Sequence, residues 1–356
     1  MTVITTQSAP STVADRFGRP LRDLRISVTD RCNWRCPYCM PAEIFGERYE
    51  FMPKPEVLTF EEIERLAGIF VDLGVTKLRI TGGEPTVRAE LPKLISRLAR
   101  IRTPEGAETD LTLTTNGFLL AKMAQELKDG GLRRVTVHLD SLDEETFKKM
   151  SGRPYGPQKT LEGIEAAARV GLSPVKVNCV VQRGMNDGQL VDMARHFKGT
   201  GHILRFIEFM DVGTRNAWNM KQVVPARDIF EQVNAVFPLD PADPKYRGEV
   251  AERYLYRDGT GEIGIIASVS KPFCGDCTRA RLTTDGRLVT CLFASKGKDL
   301  KTPMRSGASD DDLRDIITGV WSKRTDRYSE LRAASTDLDG SIKRPRKRIE
   351  MYQLGG

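Results

Sequence analysis

The stretch Cys32-Asn33-Trp34-Arg35-Cys36-Pro37-Tyr38-Cys39 puts three thiols on one short loop, directly after the first β-rich run of the chain at residues 24–28. Seven cysteines cannot all pair as disulfides, and thiols grouped at short spacings point to metal or catalytic use. A cubane 4Fe–4S cluster normally takes four thiolates, so three would cap three irons and leave the fourth open to a ligand. Structural zinc would want a nearby fourth Cys or His, and none lies between Ser27 and Lys77. A redox pair would use only Cys36 and Cys39. The iron–sulfur reading employs all three.

Around this loop the chain alternates. β-rich runs at 24–28, 77–80, 110–114, 133–139, 175–181 and 203–209 are separated by helical patterns at 60–73, 91–100, 119–128, 161–170 and 190–197. The rhythm predicts parallel pairing and an α/β fold. Six such units can close into a partial (β/α)6 TIM-like barrel or lie open as a doubly wound sheet. The barrel is favoured because the cysteine loop follows a strand, at the end where barrels gather their sites. Thr59 with Glu62 and Ser141 with Glu144 read as capping boxes at helix starts.

Past Pro238, Pro241 and Pro244 the rhythm changes to shorter β-like pieces at 253–257, 264–269, 281–284 and 287–292, followed by a helix from Asp310. This predicts a smaller C-terminal α+β domain. The expected division is a disordered leader at 1–16, the barrel at 17–238, the second domain at 239–340, and a basic tail at 341–356. That tail carries Lys343-Arg344-Pro345-Arg346-Lys347-Arg348, read as solvated, and closes on Gly355-Gly356. No secretory signal or membrane-length apolar run is present, so a cytoplasmic location is expected. The formal charge of +7 suits an anionic partner: a nucleic acid, a membrane surface or a phosphorylated small molecule.

The second unit repeats the thiol count. Cys274 and Cys277 form a C-x2-C pair, Cys291 follows after thirteen residues, and no His lies beyond His202. The remaining cysteine, Cys179, sits in an apolar run and reads as core. A second cluster with an open iron fits better than a four-ligand zinc ribbon. Beside it Arg279 and Arg281 point one way from an extended segment, and guanidinium forks match phosphate or carboxylate.

The C-x3-C-x2-C loop with Tyr38 before its last cysteine, followed by Gly82-Gly83-Glu84-Pro85 after the second strand, resembles the radical S-adenosylmethionine superfamily. Together with the second cysteine group, Arg279-Ala280-Arg281 and the terminal Gly-Gly, the chain resembles its GTP 3′,8-cyclase family from about residue 17 to the end. The resemblance implies two 4Fe–4S clusters, the first on Cys32, Cys36 and Cys39 and the second on Cys274, Cys277 and Cys291. It implies S-adenosylmethionine as cofactor, lined by Tyr38, Gly83 and Met210. His138 stands where relatives carry a serine that contacts this cofactor; it suits that contact and a satisfied strand-end histidine equally. GTP as substrate would meet Arg25, Arg79, Thr114, Lys176, Arg279 and Arg281, between the two units.

The implied reaction is a lyase step of molybdenum cofactor biosynthesis. A 5′-deoxyadenosyl radical takes the hydrogen at C3′ of GTP, the C3′ radical attacks C8 of the guanine, and one-electron reduction yields 3′,8-cyclo-7,8-dihydro-GTP. The implied partners are an electron-donor protein and, downstream, cyclic pyranopterin monophosphate synthase, with a homodimer left open. In this family the terminal Gly-Gly reaches the active site.

Two other motifs lead nowhere. Gly259-Thr260-Gly261-Glu262-Ile263-Gly264 satisfies G-x-G-x-x-G, but β-like residues follow it where a dinucleotide site needs a helix. There is no Walker A loop. A peptide-modifying radical enzyme would usually carry more cysteines in its extension. A metal-stapled nucleic-acid binder would leave Gly-Gly-Glu-Pro and two incomplete ligand sets unexplained, so neither nucleic acid nor membrane is expected as partner.

Overall fold

The computed structural model describes residues 12–46, 48–332 and 348–355. Six strands, β1 (Asp23–Ser27), β2 (Lys77–Thr81), β3 (Asp110–Thr115), β4 (Arg134–His138), β5 (Lys176–Val181) and β6 (Ile203–Glu208), pair in parallel and in chain order. A doubly wound sheet would reverse its order at a switch point. None occurs between β1 and β6, so the sheet winds one way, as a barrel does. Between these strands run α1 (Phe60–Asp72), α2 (Leu91–Leu98), α3 (Leu120–Asp129), α4 (Glu144–Ser151), α5 (Gln158–Arg169) and α6 (Leu190–Phe197).

Period-two alternation decides which way each strand looks. On β1 and β2, Leu24, Ile26, Leu78 and Ile80 are fully buried against the helical layer, and Asp23, Arg25, Lys77 and Arg79 line a cavity inside the barrel. An ordinary barrel fills its interior with branched apolar side chains. Here charged residues take those positions, so the barrel is hollow.

The C-terminal unit does not form a sheet of its own. After α7 (Ala226–Asn234), strands β7 (Leu239–Ala242), β8 (Glu252–Tyr256) and β9 (Glu262–Ile266) extend one edge, β9 pairing in parallel with β6. Strands β10 (Arg279–Leu282), β11 (Arg287–Val289) and β12 (Lys298–Asp299) extend the other, β10 pairing in parallel with β1. The sheet therefore runs through twelve strands. Helices α8 (Lys301–Arg305), α9 (Asp310–Ser322), α10 (Tyr328–Leu331) and α11 (Met351–Leu354) complete the described chain.

Several local expectations need correction. Pro241 lies inside β7 and does not interrupt the chain, because β7 is an edge strand that needs no donor on its outer side. The strands read at 264–269 and 281–284 sit about two residues earlier, since Thr283 already accepts the turn that Gly286 makes at φ +79°. The cap of α4 is Asp143, which accepts from Thr146 N at 2.8 Å; Ser141 braces Asp143 instead. The box at Thr59 and Glu62 is present as read. Residues 12–16 are no loose leader at their C-terminal end, because Asp15 is buried and paired with Arg19. In the basic run, residues 343–347 lie outside the described chain, and Arg348 is buried against Asp211. The decoy motif at 259–264 forms the β8–β9 turn and the start of β9. Among the described residues no helix is long and apolar enough to cross a membrane.

Candidate active site

A cavity of about 290 Å³ occupies the barrel interior, and all sixteen residues singled out from the sequence for clusters, cofactor or substrate line it. Strand register places the two cysteine groups at its opposite ends. Cys32, Cys36 and Cys39 follow the C-terminal end of β1. Asp23 pairs with Arg279, and both Arg22 N and Asp23 N donate to the Thr278 carbonyl, so Cys277 is level with the chain entering β1. A five-residue strand rises roughly 16 Å, which sets the scale of the gap between the groups.

The first cysteine loop is held by contacts its composition explains. Arg35 Nη1 donates to the carbonyls of Cys32 and Trp34, both at 2.7 Å. A Cβ on Gly83 would stand 2.5 Å from the Arg31 carbonyl oxygen, one on Gly82 2.5 Å from that of Thr29, and one on Gly152 2.2 Å from that of Arg35. The glycine pair thus lets the loop after β2 lie directly on the cysteine loop. Glu84 pins that arrangement: buried, it accepts from Thr86 N and Oγ1, Thr115 Oγ1 and Asn116 N at 2.6–3.0 Å.

Burial pushes the Cys32 thiol up to about 12 and those of Cys36 and Cys39 well above their usual value. Three thiols that resist ionisation need a cation to become thiolates, which suits iron. Each group offers three thiols, one fewer than the four ligands of a structural zinc site and enough to cap three irons of a cubane. At the second group burial raises Cys277, but the Arg279 and Arg324 charges outweigh it and bring the thiol to about 6. Arg279 Nη2 lies 3.3 Å from its sulfur. Cys291 is pushed up to about 11, mainly by burial. The donor sets fit iron–sulfur clusters at both ends.

Tyr38, Gly83, His138 and Met210 line the cavity. The Tyr38 hydroxyl lies 2.6 Å from Asp140 Oδ2 and 2.5 Å from His138 Nε2, which is itself 2.8 Å from Asp140 Oδ2. His138 is both a satisfied strand-end histidine and a wall of the cavity. Met210 follows β6, its carbonyl held by Asn216 Nδ2 at 3.0 Å.

Cations occupy the middle. Arg79 donates from Nη1 to Thr114 Oγ1 at 2.9 Å and to Thr136 Oγ1 at 3.2 Å. Arg25 is held well below the usual guanidinium value by burial and by Arg281, Arg79 and Arg279 around it. Burial, with Arg205, Lys77, Arg134 and Arg79 nearby, lowers Lys176 to about 7. Lys77 falls to about 8 from burial and Arg79, despite Asp23 and Asp110 at 3.9 and 3.8 Å. So much repelling charge in one hollow is a site built for an anion. Arg279 and Arg281 come from the C-terminal unit on β10, which pairs with β1 and sets them level with Asp23 and Arg25.

Sequence reasoning missed Lys77, Asn178, Arg205 and Tyr246, which share the cavity. Lys77 was findable, being two residues before Arg79 on the same face of β2; Arg205 on β6 stands level with Asn178 on β5, to whose Oδ1 it donates at 3.0 Å. Tyr246 had no signal, since it lies in the irregular link between β7 and β8. The chain's end also closes on the site. Gly355 offers its carbonyl to Arg281 Nη1 at 2.7 Å, and any Cβ there would collide with Thr81 at 2.0 Å.

Two family models match the chain: the radical SAM superfamily over residues 26–197 and molybdenum cofactor synthesis C over residues 202–330. The GTP 3′,8-cyclase of Acidothermus cellulolyticus is 49% identical over 362 residues, covering 97% of this chain and 99% of the relative. That of Xanthomonas axonopodis pv. citri is 50% identical over 342 residues, covering 96% and 98%. In fold alone the chain is similar to Streptococcus suis SuiB bound to S-adenosylmethionine, with a TM-score of 0.59 at 16% identity over 88% of this chain and 70% of that one. At half identity over nearly its whole length, and with both matching domains in order, the chain belongs to the GTP 3′,8-cyclase family of radical S-adenosylmethionine enzymes.

Proposed function

We propose that this chain converts GTP to 3′,8-cyclo-7,8-dihydro-GTP inside the hollow barrel, with the following division of labour. Cys32, Cys36 and Cys39 hold one 4Fe–4S cluster and Cys274, Cys277 and Cys291 the other. When bound, the first cluster supplies the electron that splits S-adenosylmethionine into methionine and the 5′-deoxyadenosyl radical that takes the C3′ hydrogen. Tyr38, Gly83, His138 and Met210 line the cofactor end. Arg25, Arg79, Lys176, Arg279 and Arg281 neutralise the triphosphate, with Thr114 fixing Arg79. Guanidiniums grip phosphate oxygens bidentately and so hold the ribose still while one of its hydrogens is taken. The observation that carries this reading is the belt of buried cations between two thiol triplets in one cavity.

The end of the chain lies against the cavity at Arg281 and Thr81 and helps to shield the radical from solvent. The reaction draws on an electron-donor protein, and its product passes to cyclic pyranopterin monophosphate synthase in the cytoplasm.

Anaerobic incubation of the reconstituted protein with S-adenosylmethionine, a reductant and each nucleoside triphosphate in turn tests the reading. Mass spectrometry should find 5′-deoxyadenosine and a new nucleotide with GTP alone. Deoxyadenosine without nucleotide change would remove the substrate assignment. A chain ending at Leu354 should keep its iron and cleave S-adenosylmethionine, yet lose cyclisation, because Arg281 loses the Gly355 carbonyl that aims it. Full product yield from that chain would dismiss a role for the tail.

A further inference from the structure

The N-terminal strap and the segment after α9 meet beneath the second cysteine group. Asp15 Oδ2 accepts from Arg19 Nε at 2.6 Å and from Arg324 Nη1 at 3.4 Å. The same guanidiniums then reach the cysteine backbone. Arg19 Nη1 donates to the Cys274 carbonyl at 2.7 Å, and Arg324 Nη1 donates to the Cys277 carbonyl at 2.7 Å. Asp326 closes the ring, accepting from Arg324 Nε at 3.2 Å and from the hydroxyl of Thr290, the neighbour of Cys291, at 2.6 Å. The heart of this ring is out of water, with the side chains of Asp15, Arg19 and Arg324 0%, 1% and 2% exposed, and Asp326 at its rim is 33% exposed. Burying two guanidiniums is costly unless their geometry is used, and Asp15 and Arg19 do not line the substrate cavity.

We infer that Asp15 and Arg19, with Arg324, are positioning residues for the second cluster: they fix the two carbonyls of the C-x2-C turn and so aim its thiolates before iron arrives. This rests on the two-cluster reading above. A three-thiolate site lacks the fourth protein bond that closes an ordinary cluster site, so its shape must be imposed from outside. The first group uses the same device, with Arg35 on the carbonyls of Cys32 and Trp34. Arg19 Nη1 also donates to the Asp326 carbonyl at 2.8 Å, so one nitrogen ties the cysteine turn to the segment after α9.

The test compares the full chain with Asp15→Asn and Arg19→Lys after anaerobic reconstitution. Arg19→Lys keeps the charge and loses the fork, so it holds the fold if Asp15→Asn does not. Iron per chain, electron paramagnetic resonance of the reduced clusters, iron release to a chelator and S-adenosylmethionine cleavage are read together. The expected result is that one iron fraction, about half of the total, is lost or released ~10–100-fold faster, and that the other fraction and S-adenosylmethionine cleavage stay as in the parent. Parent-like release of both fractions, or equal acceleration of both, overturns the inference. A parent chain that itself holds a single cluster overturns the two-cluster reading first, and this inference with it.

Discussion

Cys36→Ser enzyme is expected to form no 5′-deoxyadenosine above background, with or without GTP, whereas Cys277→Ser enzyme is expected to form it and leave GTP unchanged. The two variants differ by one sulfur each, and the difference follows from where the sulfurs stand. Cys36 belongs to the loop after β1, packed on Gly82 and Gly83 beside Tyr38, His138 and Met210. On the proposed assignment, losing a ligand there would remove the electron source for cleavage. Cys277 lies level with the start of β1, about a strand's length away, beside Arg279. Losing it disturbs the end where the substrate would be held and leaves the cleavage end intact. Serine is nearly isosteric, so the cavity persists in both cases. Anaerobic assays that follow deoxyadenosine and nucleotide in the same sample give both readouts. If Cys277→Ser also failed to make deoxyadenosine, the two ends would not be separable and the division of labour would be wrong.

How far the sequence alone reaches can be judged from particular elements. The six barrel strands were legible to within a residue or two, because β1 to β4 alternate an outward apolar residue with an inward polar one and β2 to β6 each follow a strongly patterned helix. In β1 the same alternation, Leu24 and Ile26 against Asp23 and Arg25, also says that the barrel is hollow. The second unit was harder to read. Its strands are two to five residues long, and what holds β10 in place is its pairing with β1, more than two hundred residues earlier in the chain. No local pattern carries that information. For the same reason the sequence places Arg279 and Arg281 in the second unit without showing that β10 sets them level with Asp23 and Arg25 on β1. Asp15 and Arg348 were taken for parts of loose termini because charge suggests solvent. Each is buried with a partner far off in the sequence, Asp15 with Arg324 and Arg348 with Asp211. Sequence reading recovers periodicity and motif; it loses pairings between distant segments.

Substrate binding should take up protons, and its affinity should fall as pH rises above neutrality. In the free protein Lys176 titrates near 7 and Lys77 near 8, both lowered chiefly by burial among other cations. A lysine with a lowered value is charged below that pH and neutral above it. A bound triphosphate reverses the local field and returns both amines toward their ordinary value near 10.4. Between about pH 7 and 10 the complex therefore holds protons that the free protein has released. Linkage then requires the GTP dissociation constant to rise about tenfold per pH unit once Lys176 has lost its charge, and more steeply above pH 8 as Lys77 follows. The terminal phosphate contributes little to this slope, its own second ionisation lying near 6. Calorimetric titrations at pH 8 in two buffers of different ionisation enthalpy should show uptake of about one and a half protons per GTP, most of one at Lys176 and half of one at Lys77. Lys176→Met should bind GTP more weakly at pH 6.5 and flatten the first part of the slope. An affinity independent of pH from 7 to 9 would mean that these lysines keep their charge in the empty cavity or never meet the triphosphate.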